Sequence, residues 1–341
     1  MADIGDPVPA GLTDLRVYRL PMRVRFRRLD ERTGMLLRGP AGWGEFSPFP
    51  EYGPAYASKW LAAGIEAATQ PFPTPVRAEV EVNTTVPAVA PGRAHDLARA
   101  SGCRTAKVKV AEPGQDLVAD VERVAAVRDA LGAEGRIRVD ANGAWDVESA
   151  VLAIARLDRA AKGLEYIEQP CATLDELREV RHRVEVAIAA DESIRTADDP
   201  LRAARSDAVD VLVLKVQPLG GVRPALEIAD AAGLPVVVSS ALESSVGLAA
   251  GVAFAAALPD LPFACGLGTA TLLGGDVTDD PLIPRNGSLP VRRVAPDPAS
   301  LDQCSAGPDE TGVWLERLRS AAEVLEGRQA PEGRGPDDAE G

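Results

Sequence analysis

The sequence predicts an α/β protein, a (β/α)8-type barrel carrying a small α+β capping domain. Three observations predict it. From Lys107 to Gly268, short Val-rich apolar runs alternate with amphipathic stretches of helical period at intervals of roughly 25 to 30 residues. The charged residues that interrupt those runs fall at their C-terminal ends, the rim on which barrels place active sites. The chain of 341 residues also exceeds the roughly 250 of a bare barrel and leaves room for one smaller domain.

In chain order, residues 1–76 read as the α+β cap, with strands over 15–20 and 35–38 about a turn at Thr33-Gly34, and a helix over 55–68. The barrel follows over 77–275, with strands at 80–86, 106–110, 136–140, 165–168, 186–192, 209–215, 235–240 and 263–268. Thr173 with Glu176 has capping-box spacing, and Asp146 is placed to cap a helix over 147–159. Gly132, Gly163 and Gly233 stand where helices should stop. Near-continuous apolar strands imply a parallel sheet covered on its outer face, and closure into a barrel removes both edges. A doubly wound open sheet is the alternative architecture. Residues 276–327 return to the cap with one helix over about 311–326, and the Gly-, Pro- and acid-rich stretch 328–341 is expected to be disordered.

Composition narrows the function classes. Lys plus Arg total 37 against 51 Asp plus Glu, a net charge of −14, which repels a phosphate backbone and argues against nucleic acid as a partner. A small anionic substrate remains compatible, because a metal and a few lysines can make a pocket locally positive. Cys103, Cys171, Cys265 and Cys304 form no C-x-x-C pair and read as reduced thiols of a cytoplasmic protein. Residues 1–9 lack an apolar core of the kind a secretory leader carries, and no apolar run of about 18 residues occurs, so no membrane association is expected. A monomer or small homo-oligomer is expected.

The strand ends carry, in order, Lys107 and Lys109, Asp140, Glu168, Asp191 with Glu192, and Lys215; successive gaps from Lys109 are 31, 28, 23 and 24 residues, each one βα unit. Asp140, Glu168 and Asp191 would converge as three hard oxygen ligands, which suits Mg²⁺. A lone strand-end Asp is more often a helix cap; three in consecutive strands flanked by lysines favour a metal. Zinc is disfavoured, since the two histidines, His95 and His182, lie off the strand ends. Lys107 and Lys109, two apart in one strand, point to the same face. Crowding by each other and by a dication would lower a lysine pKa and free some amine to act as a base. Arg138 shares the inward face with Asp140 one layer deeper and is expected to support that carboxylate. Ser239, Ser240, Gly266 and Gly268, with Ser244 and Ser245, could donate hydroxyl or backbone N–H groups to an anion. Gly220-Gly221 and Gly266-Leu267-Gly268 lack dinucleotide-fingerprint spacing, and no serine nucleophile motif occurs.

Ala106-Lys-Val-Lys-Val110, Arg138-Val-Asp-Ala-Asn-Gly-Ala-Trp145, Ile167-Glu-Gln-Pro-Cys171, Ala190-Asp-Glu-Ser193, Ser239-Ser-Ala-Leu-Glu-Ser-Ser-Val-Gly247 and, in the cap, Gly42-Trp-Gly-Glu-Phe-Ser-Pro48 together resemble the muconate-lactonizing subgroup of the enolase superfamily, whose barrel is a modified TIM barrel. The resemblance runs from about residue 15 to 290. It implies Mg²⁺, with Mn²⁺ as a substitute, bound by Asp140, Glu168 and Asp191 and stabilising an ene-diolate made by a lysine base. It further implies Lys109 as acid/base, Lys215 as a cation on the other face, Lys107 tuning Lys109, and Asn142 and Glu192 as supports of the ligands. Within the subgroup it implies an aromatizing syn dehydration belonging to menaquinone biosynthesis, with a specificity loop at 22–30.

Racemization of N-acyl amino acids, or epimerization of dipeptides, is the alternative chemistry for lysines on opposite faces. Dipeptide epimerases place acids after the eighth strand, where this chain reads Cys265-Gly-Leu-Gly-Thr-Ala270. A catalytically dead barrel that only binds would have lost a ligand or lysine, and none is lost.

Overall fold

A computed structural model describes residues 11–27, 29–195 and 199–329. Residues 1–10 and 330–341 lie outside that set; of the stretch 328–341 expected to be disordered, 328 and 329 are helical instead.

The cap opens with an antiparallel sheet of β1 (Asp14–Phe26), β2 (Leu29–Gly39) and β3 (Gly42–Phe46), followed by α1 (Pro54–Thr69). Thr33 and Gly34 are not a turn. They lie inside β2, with Gly34 opposite Tyr18, and the chain reverses at the Phe26–Leu29 pair. A Cβ on Gly34 would stand 2.5 Å from Tyr18 Oη, so this glycine answers a close approach rather than a reversal.

The barrel strands are β5 (Thr84–Val86), β6 (Thr105–Lys109), β7 (Arg136–Asp140), β8 (Tyr166–Glu168), β9 (Ile188–Ala190), β10 (Val211–Leu214) and β11 (Val236–Val238), paired in sequence order and all parallel. The expected strand over 80–86 divides, because its first part, β4 (Glu79–Glu81), leaves the barrel to pair antiparallel with β12 (Ser288–Pro290). The expected eighth strand shrinks to two parallel bridges, Val82 with Cys265 and Ser239 with Gly266, which close the ring. Tyr166, Ala189, Val211, Val213 and Val237, with Ala187 and Phe263 against them, fill the interior, so the barrel is a packed core and not a pore.

Between strands run α2 (Pro91–Ala100), α3 (Leu117–Leu131), α4 (Val147–Ala161), α5 (Leu174–Arg181), the short turns α6 (Glu192–Arg195), α7 (Arg202–Arg205) and α8 (Val216–Leu219), then α9 (Val222–Ala232) and α10 (Ser245–Ala257). Asp146 caps α4 through Ser149 N, and Thr173 and Glu176 form the reciprocal capping box of α5. Gly132 and Gly233 end α3 and α9 with positive φ, and after α4 two successive residues have positive φ, Lys162 in the left-handed region and Gly163 after it. Helix α10 is apolar all round and almost wholly buried, because it lies against β11 and α9 of the barrel and β3 of the cap. After a 3-10 turn at Gly268–Leu272 come α11 (Pro298–Cys304) and α12 (Pro308–Gln329), the latter longer at both ends than expected. Trp314, Leu318 and Ala321 of α12 join Met35, Leu37, Phe46 and Trp60 in the cap's apolar core. Among the described residues no helix is long and apolar enough to cross a membrane.

Candidate active site

Parallel pairing aligns Lys109 with Asp140 and Asp140 with Glu168, so residues far apart in sequence meet in one layer at the C-terminal rim. The cavity above them holds about 540 Å3 of unfilled space, part of it open to solvent. Lys107, Lys109, Asp140, Asn142, Asp191, Lys215, Ser239, Ser240 and Gly266 line it, as expected residues of the site. Glu168 lies beneath, fully buried.

Lys107 Nζ donates to both oxygens of Glu168 at 2.8 and 2.9 Å and lies 3.2 Å from Asp140 Oδ2. Lys109 Nζ donates to Asp140 Oδ2 at 2.5 Å and to Asn142 Oδ1 at 2.7 Å. Lys215 Nζ donates to Asp191 Oδ2. Asn142 in turn donates its backbone N–H to Asp140 Oδ1 at 3.1 Å and Nδ2 to Glu192 Oε1 at 3.0 Å. Asn142 and Glu192 are therefore tied to the carboxylate row.

Burial works against every charge here, and the pairing decides which survive. For Lys107 burial pulls the amine down, but Glu168 and Asp140 together raise it above its ordinary value. Its nearest neighbours are carboxylates, and they, not the other lysine, set that direction; the effect expected of a dication is a separate one. For Lys215 burial prevails over Asp191, and the amine is lowered. Burial raises Asp140 and Asp191, yet nearby cations more than reverse it: Lys109 and Lys107 leave Asp140 well below the carboxylate range, and Lys215 with Arg195 leaves Asp191 at about 2. Burial and the adjacent Asp140 push Glu168 up to about 7.

Among the described residues no three His, Cys, Asp or Glu side chains are gathered as a ready cluster, since each carboxylate is turned to a lysine. The donor set nonetheless fits a hard dication: three buried carboxylates at neighbouring strand ends, one of them pushed toward neutrality by burial and by its neighbour Asp140. Asp191 Oδ1 is buried with no hydrogen bond, its nearest cation being Arg195 Nε at 3.3 Å.

Two expected residues are elsewhere. Arg138 does not support Asp140, which the lysines of β6 already occupy. It points to the barrel's interior, donating to Glu165, to Asn83 Oδ1 at 3.3 Å and to the Ala264 carbonyl at 2.6 Å, between the rings of Tyr166 and Phe263. We expect Arg138→Met to cost about 3 kcal/mol, measured by urea unfolding, because Glu165 would keep only Arg136, 3.5 Å away, and Asn83 Oδ1 and the Ala264 carbonyl would lose this donor. Unchanged stability with lost activity would restore the discarded role. Gly268 is off the cavity wall, where a Cβ would meet the Asn83 carbonyl at 2.8 Å. Its neighbour Thr269 lines the cavity and shares a 2.7 Å hydrogen bond with Ser240.

Sequence spacing missed the roof. Phe26 and Arg27 at the hairpin tip, Phe49 and Trp60 of the cap, and Arg195 after Asp191 all face the cavity. Lys109 Nζ stands 5.5 Å from the Phe26 ring, so the hairpin within 22–30 reaches the Lys109 side of the cavity. The i+4 spacing of Arg195 from Asp191 is a signal that could have found it; the cap residues carry no such period.

Fold and site define a capped barrel enzyme with buried carboxylates and lysines on its strand ends. Residues 17–68 match the family described as Enolase N-terminal domain-like, and residues 91–297 the family described as Enolase C-terminal domain-like. A relative named o-succinylbenzoate synthase from Thermobifida fusca (strain YX) is 60% identical over 316 residues, 93% of this chain and 99% of its own. One of the same name from Mycobacterium ulcerans (strain Agy99) is 53% identical over 324 residues, 94% and 98% of the two chains. The solved N-succinyl Arg/Lys racemase from Bacillus cereus ATCC 14579 superposes with a TM-score of 0.73 at 19% identity, covering 87% of this chain and 98% of its own, a likeness of fold alone. The chain belongs to the enolase superfamily and, within it, to the o-succinylbenzoate synthase family. Enzymes of that family depend on a divalent metal.

Proposed function

We propose that the protein converts 2-succinyl-6-hydroxy-2,4-cyclohexadiene-1-carboxylate to 2-succinylbenzoate in menaquinone biosynthesis. The observation that carries this reading is the single cavity into which Lys109 and Lys215 project from different strands, each on a buried aspartate. Asp140, Glu168 and Asp191 would hold Mg²⁺, or Mn²⁺ in its place. Bound there, the ion supplies fixed positive charge beside the substrate carboxylate, which lowers the cost of the second negative charge formed when the α-proton leaves.

Lys109 takes the proton from C1. The C6–O bond then breaks, the C1–C6 double bond completes the aromatic ring, and Lys109 returns the proton to the departing hydroxide on the same face, releasing water. Lys215 stabilises the enolized carboxylate from the other face. Lys107, held cationic by Glu168 and Asp140, acts as their buried counter-charge and, two residues from Lys109 on the same face of the strand, tunes it. Ser239, Ser240 and the Gly266 backbone provide the polar wall for the substrate, with Thr269 in the place expected of Gly268.

We place the protein in the cytoplasm, as a monomer or small homo-oligomer acting on a small anionic substrate. Four buried, unpaired cysteines support the compartment.

Assays with Mg²⁺ on the cyclohexadiene, followed by absorbance, and on N-succinyl amino acids, followed by optical rotation, test the reading. Efficient dehydration with weak or absent racemization is expected. Faster racemization than dehydration at equal concentration would overturn it in favour of an N-acylamino acid racemase on the same scaffold.

A further inference from the structure

Two stretches of cavity wall, 215–218 and 239–242, are held from above by buried side chains of the cap. Glu45 on β3, 2% exposed, accepts hydrogen bonds from Tyr18 Oη at 2.8 Å, Ser47 Oγ at 2.7 Å, Ser244 N at 3.2 Å, Gly247 N at 3.1 Å and Ser244 Oγ. The last three donors belong to the start of α10. Asp276 accepts from Ser245 N at 3.1 Å and Ser244 Oγ from Val246 N at 3.3 Å, so side chains satisfy the whole first turn. A Cβ on Gly247 would stand 2.9 Å from Glu45 Cδ, so the approach needs a glycine there.

Arg32, likewise 2% exposed, donates Nε to the Leu242 carbonyl at 2.9 Å and Nη2 to those of Ala241, at 3.3 Å, and Ser47, with its guanidinium 4.6 Å from the Phe49 ring centre. Leu242 is held at a φ of +64°, a conformation that persists in a leucine only when its surroundings impose it. On the other stretch, Gln217, two residues past Lys215, accepts from Ser47 N at 3.2 Å and donates to Ser47 Oγ at 3.2 Å. Pro218, Ala241 and Leu242 line the cavity, whereas Glu45, Arg32 and Ser47 do not.

We propose that Glu45 and Arg32 are positioning residues: acting through Ser244, Ala241, Leu242, Ser47 and Gln217, they set the cavity wall on the Lys215 side and so shape the substrate pocket without touching substrate. Only the choice of assay substrate rests on the proposed function. Glu45→Gln keeps the shape and an acceptor for the α10 start while removing the charge; Arg32→Met removes the carbonyl clasp. In both, we expect amide hydrogen exchange of 239–244 to accelerate by about tenfold or more while the rest of the barrel is unchanged. KM for dehydration should rise about tenfold with kcat within about threefold, as for loss of uniform binding. A lower melting temperature with unchanged KM and unchanged exchange at 239–244 would overturn the proposal, leaving a clamp that only holds the cap down. If Arg32→Met does not fold, the near-isosteric Glu45→Gln decides alone. If the wild-type chain does not dehydrate the cyclohexadiene, the functional reading fails and the exchange measurement still decides this one.

Discussion

Lys109→Ala should lower kcat for dehydration by at least about 10³-fold, because one amine serves both proton transfers. The side chain lies between Asp140 and Asn142 with the Phe26 ring above, so its removal leaves the carboxylate with Lys107 and creates no isolated buried charge. The circular dichroism spectrum should stay that of the wild type. Lys109→Arg should not rescue turnover, since a guanidinium does not give up its proton near neutral pH. Near wild-type turnover in either variant would end the assignment of Lys109 as the base. Lys215→Ala should be inactive too, for loss of the cation on the opposite face.

Exhaustive chelation should abolish activity, and Mg²⁺ or Mn²⁺ should restore it. Asp140, Glu168 and Asp191 are almost completely buried, and an anionic substrate entering their cavity without a dication would meet carboxylates whose lysine partners are already engaged. Asp140→Asn and Glu168→Gln should be inactive while remaining folded. Full turnover in excess chelator, with metal content verified by elemental analysis, would refute the ligand assignment.

Much of this site was legible because parallel barrel strands bury both faces. A single Asp ending an apolar run such as 136–140 could cap a helix, but carboxylates and lysines ending consecutive runs at one-unit spacing share the rim and are not explained by capping. Contacts made across topology were not legible. Gly34 has the signature of a turn, and only the tyrosine packed on it shows why it is a glycine. The run 80–86 is uniformly strand-like, so nothing local reveals that its first part pairs with 288–290. Arg138 obeys the inward period, but period does not say whether a long side chain points up to Asp140 or down to Glu165. Glu45 could be seen as part of a motif, yet three of its donors, on Ser244 and Gly247 at the start of α10, lie about 200 residues away.

The pairing of α12 with α1 bears on how the polypeptide emerges from the ribosome. The cap's apolar core takes Trp60 and Leu61 from near the chain's start and Trp314 and Leu318 from near its end. Contacts so distant in sequence carry the full loop-closure cost and form late. During synthesis the first domain to appear must therefore wait, with part of its apolar face uncovered, until the whole barrel has been made and the last helix can be laid across it.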